Sequence, residues 1–376
     1  MFIITILDIL ISSFIVTPLL ITFWWGTWSY QVYSNSFPVS WSLYISTVLI
    51  FLLTLLREPL YEKRMSGVLG LLIARIYIYL FAILCITQWN ALFTILDLTM
   101  NIQMTLITVA ISITLMSYLR SLGTLLGPPY FLFLDHKRKT VFIYPTMFQK
   151  GSTENLWVYL LDCVFSVCVI GMLVVFVWRG CWTILDTYLY PENIVLSTWM
   201  SLGIGYTIVG ITFALQPPMK YLATELSGIP RMLIVDIYLL FSFCGTVNVW
   251  RGIWKIQDLY FFPEKPELSY ALSHFVPFLL LVLINSSNSI LVRGVYIDGE
   301  EAGAQCVDFP CYYLRLIFQS KRKDKILREA EKKSGEKDEQ RLSEGEVLIQ
   351  VGVDPVDPNW KNKSINNFCS PEVNQH

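Results

Sequence analysis

Val177-Trp178-Arg179-Gly180-Cys181-Trp182-Thr183-Ile184-Leu185-Asp186 returns 72 residues later as Val249-Trp250-Arg251-Gly252-Ile253-Trp254-Lys255-Ile256-Gln257-Asp258. The match runs on at the same offset, with Tyr188, Pro191, Glu192 and Ser197 recurring as Tyr260, Pro263, Glu264 and Ser269. Each copy lies between two long apolar runs, so the stretch marks a corner in a repeated membrane unit. On a helix, Trp178, Trp182 and Asp186 are four apart and share a face, as do Trp250, Trp254 and Asp258. Arg179 sits beside Trp178, placed to stack on an indole or to meet an acidic group. Gly180 and Gly252 leave room for a neighbouring helix, and Pro191 and Pro263 end the extension beyond the span. An interfacial aromatic belt with a snorkelling arginine accounts for tryptophans at a span end. It does not account for Arg-Gly-x-Trp-x-x-x-Asp-x-Tyr written twice. That repetition leaves two readings: a structural clasp repeated around a helical bundle, or an external binding surface.

Composition sets the frame outside these corners. Mean hydropathy is +0.52, and 54% of the 376 residues are hydrophobic against 15% charged. About 20 apolar residues at 1.5 Å rise cross a bilayer core. Eight such runs are found, near 3–24, 40–56, 67–88, 101–119, 156–177, 194–215, 232–249 and 270–292. The first has no basic leader and no small-residue cleavage site, and it carries Asp8, so it reads as a retained span. The net charge of −1 says little, but its distribution is informative: charge is scarce up to about residue 300 and dense after it. The sequence therefore predicts an all-α transmembrane domain over 1–300 and a cytosolic, partly disordered tail over 301–376.

Lys and Arg cluster after the second, fourth, sixth and eighth runs, for example at Lys137-Arg138-Lys139 and Lys321-Arg322-Lys323. The positive-inside rule then puts both termini in the cytosol and every Trp-marked turn outside. Weaker copies of the marker appear at Trp89, with Thr94-Ile95-Leu96-Asp97 after it, and at Trp24 with Trp28. Four parallel two-helix repeats are expected, unlike the inverted repeats of many transporters. Between the fourth and fifth runs, Phe131–Tyr144 reads as a short β-prone hairpin around a basic turn, within an insertion at about 128–150.

Four charges fall within the apolar runs. Asp8 and Asp162 precede their tryptophans by 16 residues, and Arg75 and Asp236 by 14. The three acids are expected in the first turns of their helices, where a carboxylate complements the dipole. Arg75 at a helix start opposes the dipole, and its expected partners are Asp8, Asp162 or Asp236. Intramembrane charges also mark substrate pathways in some proteins. The eighth run holds His274, Pro277 and Asn285-Ser286-Ser287-Asn288-Ser289, suited to interhelical hydrogen bonding or to an ion or substrate. Cys306 and Cys311 are open to palmitoylation or are ordinary thiols. No zinc-like Cys/His spacing, P-loop, HExxH or Gly-x-Ser-x-Gly motif occurs, so no cofactor, metal, catalytic constellation or nucleic-acid partner is expected.

The eight runs and the Val-Trp-Arg-Gly-x-Trp…Asp-x-Tyr-x-x-Pro marker at Val177–Pro191 and Val249–Pro263 resemble the Fuseless family of multi-pass neuronal membrane proteins of invertebrates. The resemblance covers roughly residues 1–300 and is strongest in the second half, because the corners at Trp24 and Trp89 lack Arg-Gly. It implies a non-enzymatic, presynaptic role in placing voltage-gated calcium channels at active zones through channel or scaffold partners. The alternative is a secondary transporter or ion-conducting protein built on the four intramembrane charges.

Overall fold

Apolar stretches interrupted by good capping residues fold into helical rods, and the caps show where each rod begins. Asn101, Asn155 and Asn193 each accept a hydrogen bond from the amides of the following turn, opening helices at Ile102, Leu156 and Ile194. Pro266 opens another at its first position, where the missing N–H costs nothing. In the computed structural model, residues 2–34, 37–62, 67–135, 141–142, 144–150, 155–291, 294–298, 304–311, 313–315 and 318 are described. The contacts below all lie within the unit of residues 1–316.

Among the described residues there are helices and no strand. We number the rods in chain order. Rod α1 runs through Phe2–Ile11, a π-helical stretch at Ser12–Val16 and Thr17–Ser34. Then come α2 (Val39–Glu62), α3 (Gly67–Thr99) and α4 (Ile102–Tyr118). Rod α5 joins Leu156–Val164, a π-helical stretch at Phe165–Ile170 and Gly171–Tyr188. The last three are α6 (Ile194–Glu225), α7 (Gly228–Tyr260) and α8 (Pro266–Leu283). Seven rods are long and apolar enough to cross a membrane; α4 is apolar but has 17 residues. Large apolar side chains such as Leu52, Ile107, Ile211 and Leu279 remain exposed on the rods. Water would penalise such a surface and lipid would not, so the apolar helices fit a bilayer environment.

Rods α1, α3, α5 and α7 carry the tryptophan markers and form a closed inner ring, each touching the next and α7 touching α1. The apolar windows of α7, α5 and α3 are 56%, 50% and 44% buried, against 17–28% for α2, α6 and α8. Each inner rod has its most extensive partner outside the ring: α8 on α1, α2 on α3, α4 on α5 and α6 on α7. Thus α3, α5 and α7 pack on the rod that precedes them in the chain, and α1 packs on the last. The Trp-marked turns join neighbouring packed pairs; they do not connect the two members of one pair.

The opposite end of the bundle departs from the sequence reading. Rods α4 and α8 end in the same way: Ser121 N–H reaches Met116 O and Ser286 N–H reaches Leu281 O, with Arg120 and Asn285 left-handed at φ 53° and 54°. This is the Schellman stop. Each chain then makes a short 3-10 turn, at Leu122–Leu125 and Ser287–Ile290. The eighth apolar run therefore leaves the helix at Asn285. Ser286–Ser289 lie buried beyond the helix end, so they do not bond one spanning helix to another, although Ser287 accepts from Arg75 on α3; His274, still on the helix, does bond across to Thr27 and Tyr79. Phe131–Asp135 forms no hairpin strand: Leu132 and Asp135 donate to Pro310 O and Asn285 O, while the basic turn at 136–140 lies outside the described residues. The packed unit also extends past residue 300, because Phe309 stacks on Tyr238 and contacts Tyr130. The charged segment Lys321–Glu346 lies outside the described residues.

Candidate functional site

Counting from each marker tryptophan gives one local pattern for four corners. Trp24, Trp89, Trp178 and Trp250 meet in a closed ring of edge-to-face contacts. Centroid distances are 5.5 Å (Trp24–Trp89), 5.8 Å (Trp89–Trp178), 5.4 Å (Trp178–Trp250) and 5.6 Å (Trp250–Trp24). Indole edges are electropositive and faces electronegative, so this arrangement is the favourable one. Four residues on, one helical turn toward the marked corners, a second aromatic layer follows. Trp28 meets Phe93 and Trp254, and Trp254 meets Trp182. The marker tryptophans are thus buried around the bundle axis, with Trp178 and Trp250 only 6% and 8% exposed. They do not form a lipid-facing belt.

The residue after each ring tryptophan reaches back to the preceding inner rod. Arg179 on α5 donates through Nε and Nη2 to Asp97 Oδ1 at the end of α3, at 2.9 and 2.8 Å, and through Nη1 to Thr105 on α4 at 2.7 Å. Arg251 on α7 donates to Asp186 Oδ1 on α5 at 2.9 Å and to Ser197 Oγ on α6 at 2.8 Å. On α1 the same position is Trp25, whose indole N–H donates to Asp258 on α7 at 2.7 Å. On α3 it is Asn90, whose amide reaches the Trp28 carbonyl at 3.4 Å, and the aspartate position on α1 is Val32. Each corner is thus tied to the one before it, and Arg179 and Arg251 also hold the first turn of the next outer rod. Both guanidiniums are buried, Arg251 at 1% exposure.

The next position is small at every corner: Gly26, Ala91, Gly180 and Gly252. A Cβ on Gly252 would lie 2.9 Å from the Leu202 backbone on α6, and one on Gly26 2.8 Å from the Ser273 carbonyl carbon on α8. One on Gly180 would overlap Val109 on α4. Close approach of the outer rod requires these residues. The sequence reading assigns no role to Gly26, Ala91, Asn90 or Trp25, and it places Asp97 in the marker without a partner. The offset from the tryptophan identifies them, whereas Arg-Gly alone does not.

Toward the marked corners the aromatic layers enclose a cavity of about 350 Å³, with Asp97 and Asp186 at its edge and the ring tryptophans as its floor. On the other side of the ring lies a chamber of about 60 Å³. There Trp24, Trp178 and Trp250 donate their indole N–H groups to the carbonyls of Ile290, Leu125 and Pro128, at 3.0–3.1 Å. The two non-helical segments therefore reach the underside of the ring.

The four intramembrane charges hold these segments and their flanks. Arg75 pairs with Asp135 and hydrogen-bonds Ser287, while Asp135 accepts from the amides of Ser287 and Asn288 at 2.9 and 2.7 Å. None of Asp8, Asp162 and Asp236 is its partner. Asp236 pairs with Arg120, which also pairs with Asp298, and Asp298 accepts from Gly123 N–H. Asp8 accepts from Leu314 N–H, and Asp162 from the amides of Phe148 and Lys150. No acid lies in the first turn of its helix: the helices begin six to eight residues earlier, at Phe2, Leu156 and Gly228. Asp8 and Asp162 cap foreign backbone in place of their own, and Asp236 holds the side chains of Ser117 and Arg120. His274 is likewise satisfied, by Thr27 and Tyr79. Cys311 is 2% exposed and burial pushes its thiol up to about 12, so it is a packing residue and not an accessible lipidation site. Among the described residues no His/Cys/Asp/Glu group is arranged to hold a metal.

The closed ring and its paired corners draw together the stretches on which the sequence resemblance rests. A family model described as Fuseless matches residues 3–291, from the first rod through the second non-helical segment. The chain belongs to the Fuseless family. Searches of curated proteins and of solved structures give no significant match. As a Fuseless protein with several apolar helices of spanning length, it fits a multi-pass membrane protein.

Proposed function

We propose that this Fuseless protein is a non-enzymatic membrane protein of eight spans, built as four parallel two-helix repeats, with both termini in the cytosol. The observation that carries the reading is the recurring corner: ring tryptophan, back-reaching residue, small residue and aromatic residue recur in order on four rods. In this role Trp178, Arg179, Gly180, Trp182 and Asp186, with Trp250, Arg251, Gly252, Trp254 and Asp258, serve as a structural clasp on the outer face. Family membership supports a presynaptic plasma-membrane location and a part in placing voltage-gated calcium channels. The basic turn at 136–140 and the charged tail would be its cytosolic contacts for channel or scaffold proteins. A transporter driven by Asp8, Arg75, Asp162 and Asp236 is less well supported, because each is engaged in a fixed contact with backbone or with another charge.

Two experiments test the reading. Tags at residue 140 and at the C-terminus should be labelled only after the plasma membrane is permeabilised; labelling of one in intact cells refutes the four-repeat topology. Complete loss of the protein should disperse calcium channels from active zones. Unchanged clustering refutes the presynaptic reading and leaves the topology standing.

A further inference from the structure

We propose that the cavity above the tryptophan ring binds a compact organic cation, of the quaternary or methylated ammonium class. The inference concerns the cavity's own chemistry and does not rest on the presynaptic reading. At about 350 Å³ the cavity falls within the usual range for small-ligand sites, roughly 300–1,000 Å³. Its floor is the four ring tryptophans and its walls are Trp28, Phe93, Trp182 and Trp254. Aromatic faces attract a cation through their quadrupole, and an aromatic box suits a methylated ammonium because that ion has few hydrogen bonds to lose on leaving water.

The polar groups around the box select the sign of the guest. Asp97 and Asp186 line the cavity and stay 60% and 39% exposed, while the arginines that hold them are 5% and 1% exposed and do not line it. Each guanidinium donates to Oδ1, with Lys255 Nζ also 4.0 Å from Oδ1 of Asp186, and Oδ2 of each of these lining carboxylates takes no hydrogen bond among the described residues. No Lys, Arg or His lines the space. Of the seven indoles that line the cavity, Trp24, Trp178 and Trp250 commit their N–H groups to carbonyls on the far side of the ring, which leaves those of Trp28, Trp89, Trp182 and Trp254 and the side chains of Asn90, Thr94 and Thr183 as the neutral donors. An anion would meet two carboxylates and only neutral donors, with no lining cation to offset them. A bare divalent ion would find its two carboxylates on separate corners, each already held by an arginine. A wholly apolar guest would leave the carboxylates without a counterpart. A cation with a methylated surface satisfies both features.

Two sources share this chemistry: a free ammonium compound in solution and the choline headgroup of a phospholipid. The test uses purified full-length protein in a detergent without a quaternary ammonium group. Choline and tetramethylammonium are titrated by calorimetry, beside 3,3-dimethylbutanol, which has the shape of choline without its charge. Choline is expected to bind at least about tenfold more tightly than the neutral analogue, the factor that about 1.4 kcal/mol of cation–π and charge attraction gives. Asp97→Asn keeps an oxygen for Arg179 and removes the charge, and Trp182→Leu removes one wall. Each should weaken choline binding several-fold in protein that elutes and melts like the parent. Nanodiscs of phosphatidylcholine and of phosphatidylglycerol separate the sources. Competition by phosphatidylcholine alone, with weak binding of free choline, assigns the site to the lipid headgroup. Equal affinity for the neutral analogue, or no binding of any cation or choline lipid, overturns the proposal.

Discussion

The corners at α5 and α7 and those at α1 and α3 carry out the same back-reach with different chemistry. Arg179 and Arg251 each join a carboxylate and a hydroxyl on two neighbouring rods. Trp25 makes one hydrogen bond to Asp258, and Asn90 makes one long contact to a carbonyl. The aromatic ring closes through all four regardless. Ring geometry is therefore set by tryptophan packing and by the small residues behind it. The ion pairs add reinforcement where the first half of the chain manages without them.

Four substitutions put numbers on this difference, read as shifts in the unfolding free energy of purified protein in detergent. Arg251→Met should cost most, about 2–3 kcal/mol, because it strips a guanidinium that is 1% exposed from Asp186 and Ser197, while the 39% exposure of Asp186 and the nearby Lys255 limit the loss. Arg179→Met should cost less, about 1–2 kcal/mol, because Asp97 is 60% exposed and water can resolvate it. A cost equal to that of Arg251→Met would mean that burial does not set the scale. Trp25→Phe keeps the ring packing and removes one donor from a carboxylate, for about 1.5 kcal/mol. The smallest effect is a gain. Val32→Asp combined with Asn90→Arg writes the missing pair into the first half and should add up to about 1 kcal/mol, more than the sum of the single changes. Additive single effects would show that the α1 and α3 corners are not geometrically equivalent to the other two.

The markers were legible in the sequence because one corner's residues are contiguous. Trp, Arg, Gly, Trp and Asp sit within nine positions, and helical spacing places them together. The pairing of corners was not legible, because Arg179 answers Asp97 and Arg251 answers Asp186, across different copies of the motif. A repeat read within itself joins Arg179 to Asp186. Asp97 and Asp258 were in view, yet nothing local says which rod lies beside which. The ends of α4 and α8 were hidden for another reason. Ile290 and Leu291 continue the apolar run past Asn285, so hydropathy extends the helix where backbone geometry ends it. The partners of Arg75 and Asp236 lie in those hidden segments, and so the charges were assigned to each other. The difference in spacing, 16 residues against 14, does have a local counterpart. The π-helical stretches at Ser12–Val16 and Phe165–Ile170, each of which places one extra residue in the turn and so supplies one of the two residues, occur in α1 and α5 and not in α3 or α7.

The packing of α8 on α1 bears on how the molecule is made. Rods α3, α5 and α7 can each settle on a neighbour that left the ribosome just before them. The partner of α1 is encoded about 230 residues downstream of it, which at roughly 5–20 residues per second is synthesised some 10–50 seconds later. During that interval Gly26, Thr27 and the face of α1 that receives Ser273 and His274 stay open to lipid or to an insertion chaperone. Covering of α1 by α8 is then a late, post-insertion event, and it follows closure of the inner ring through α7.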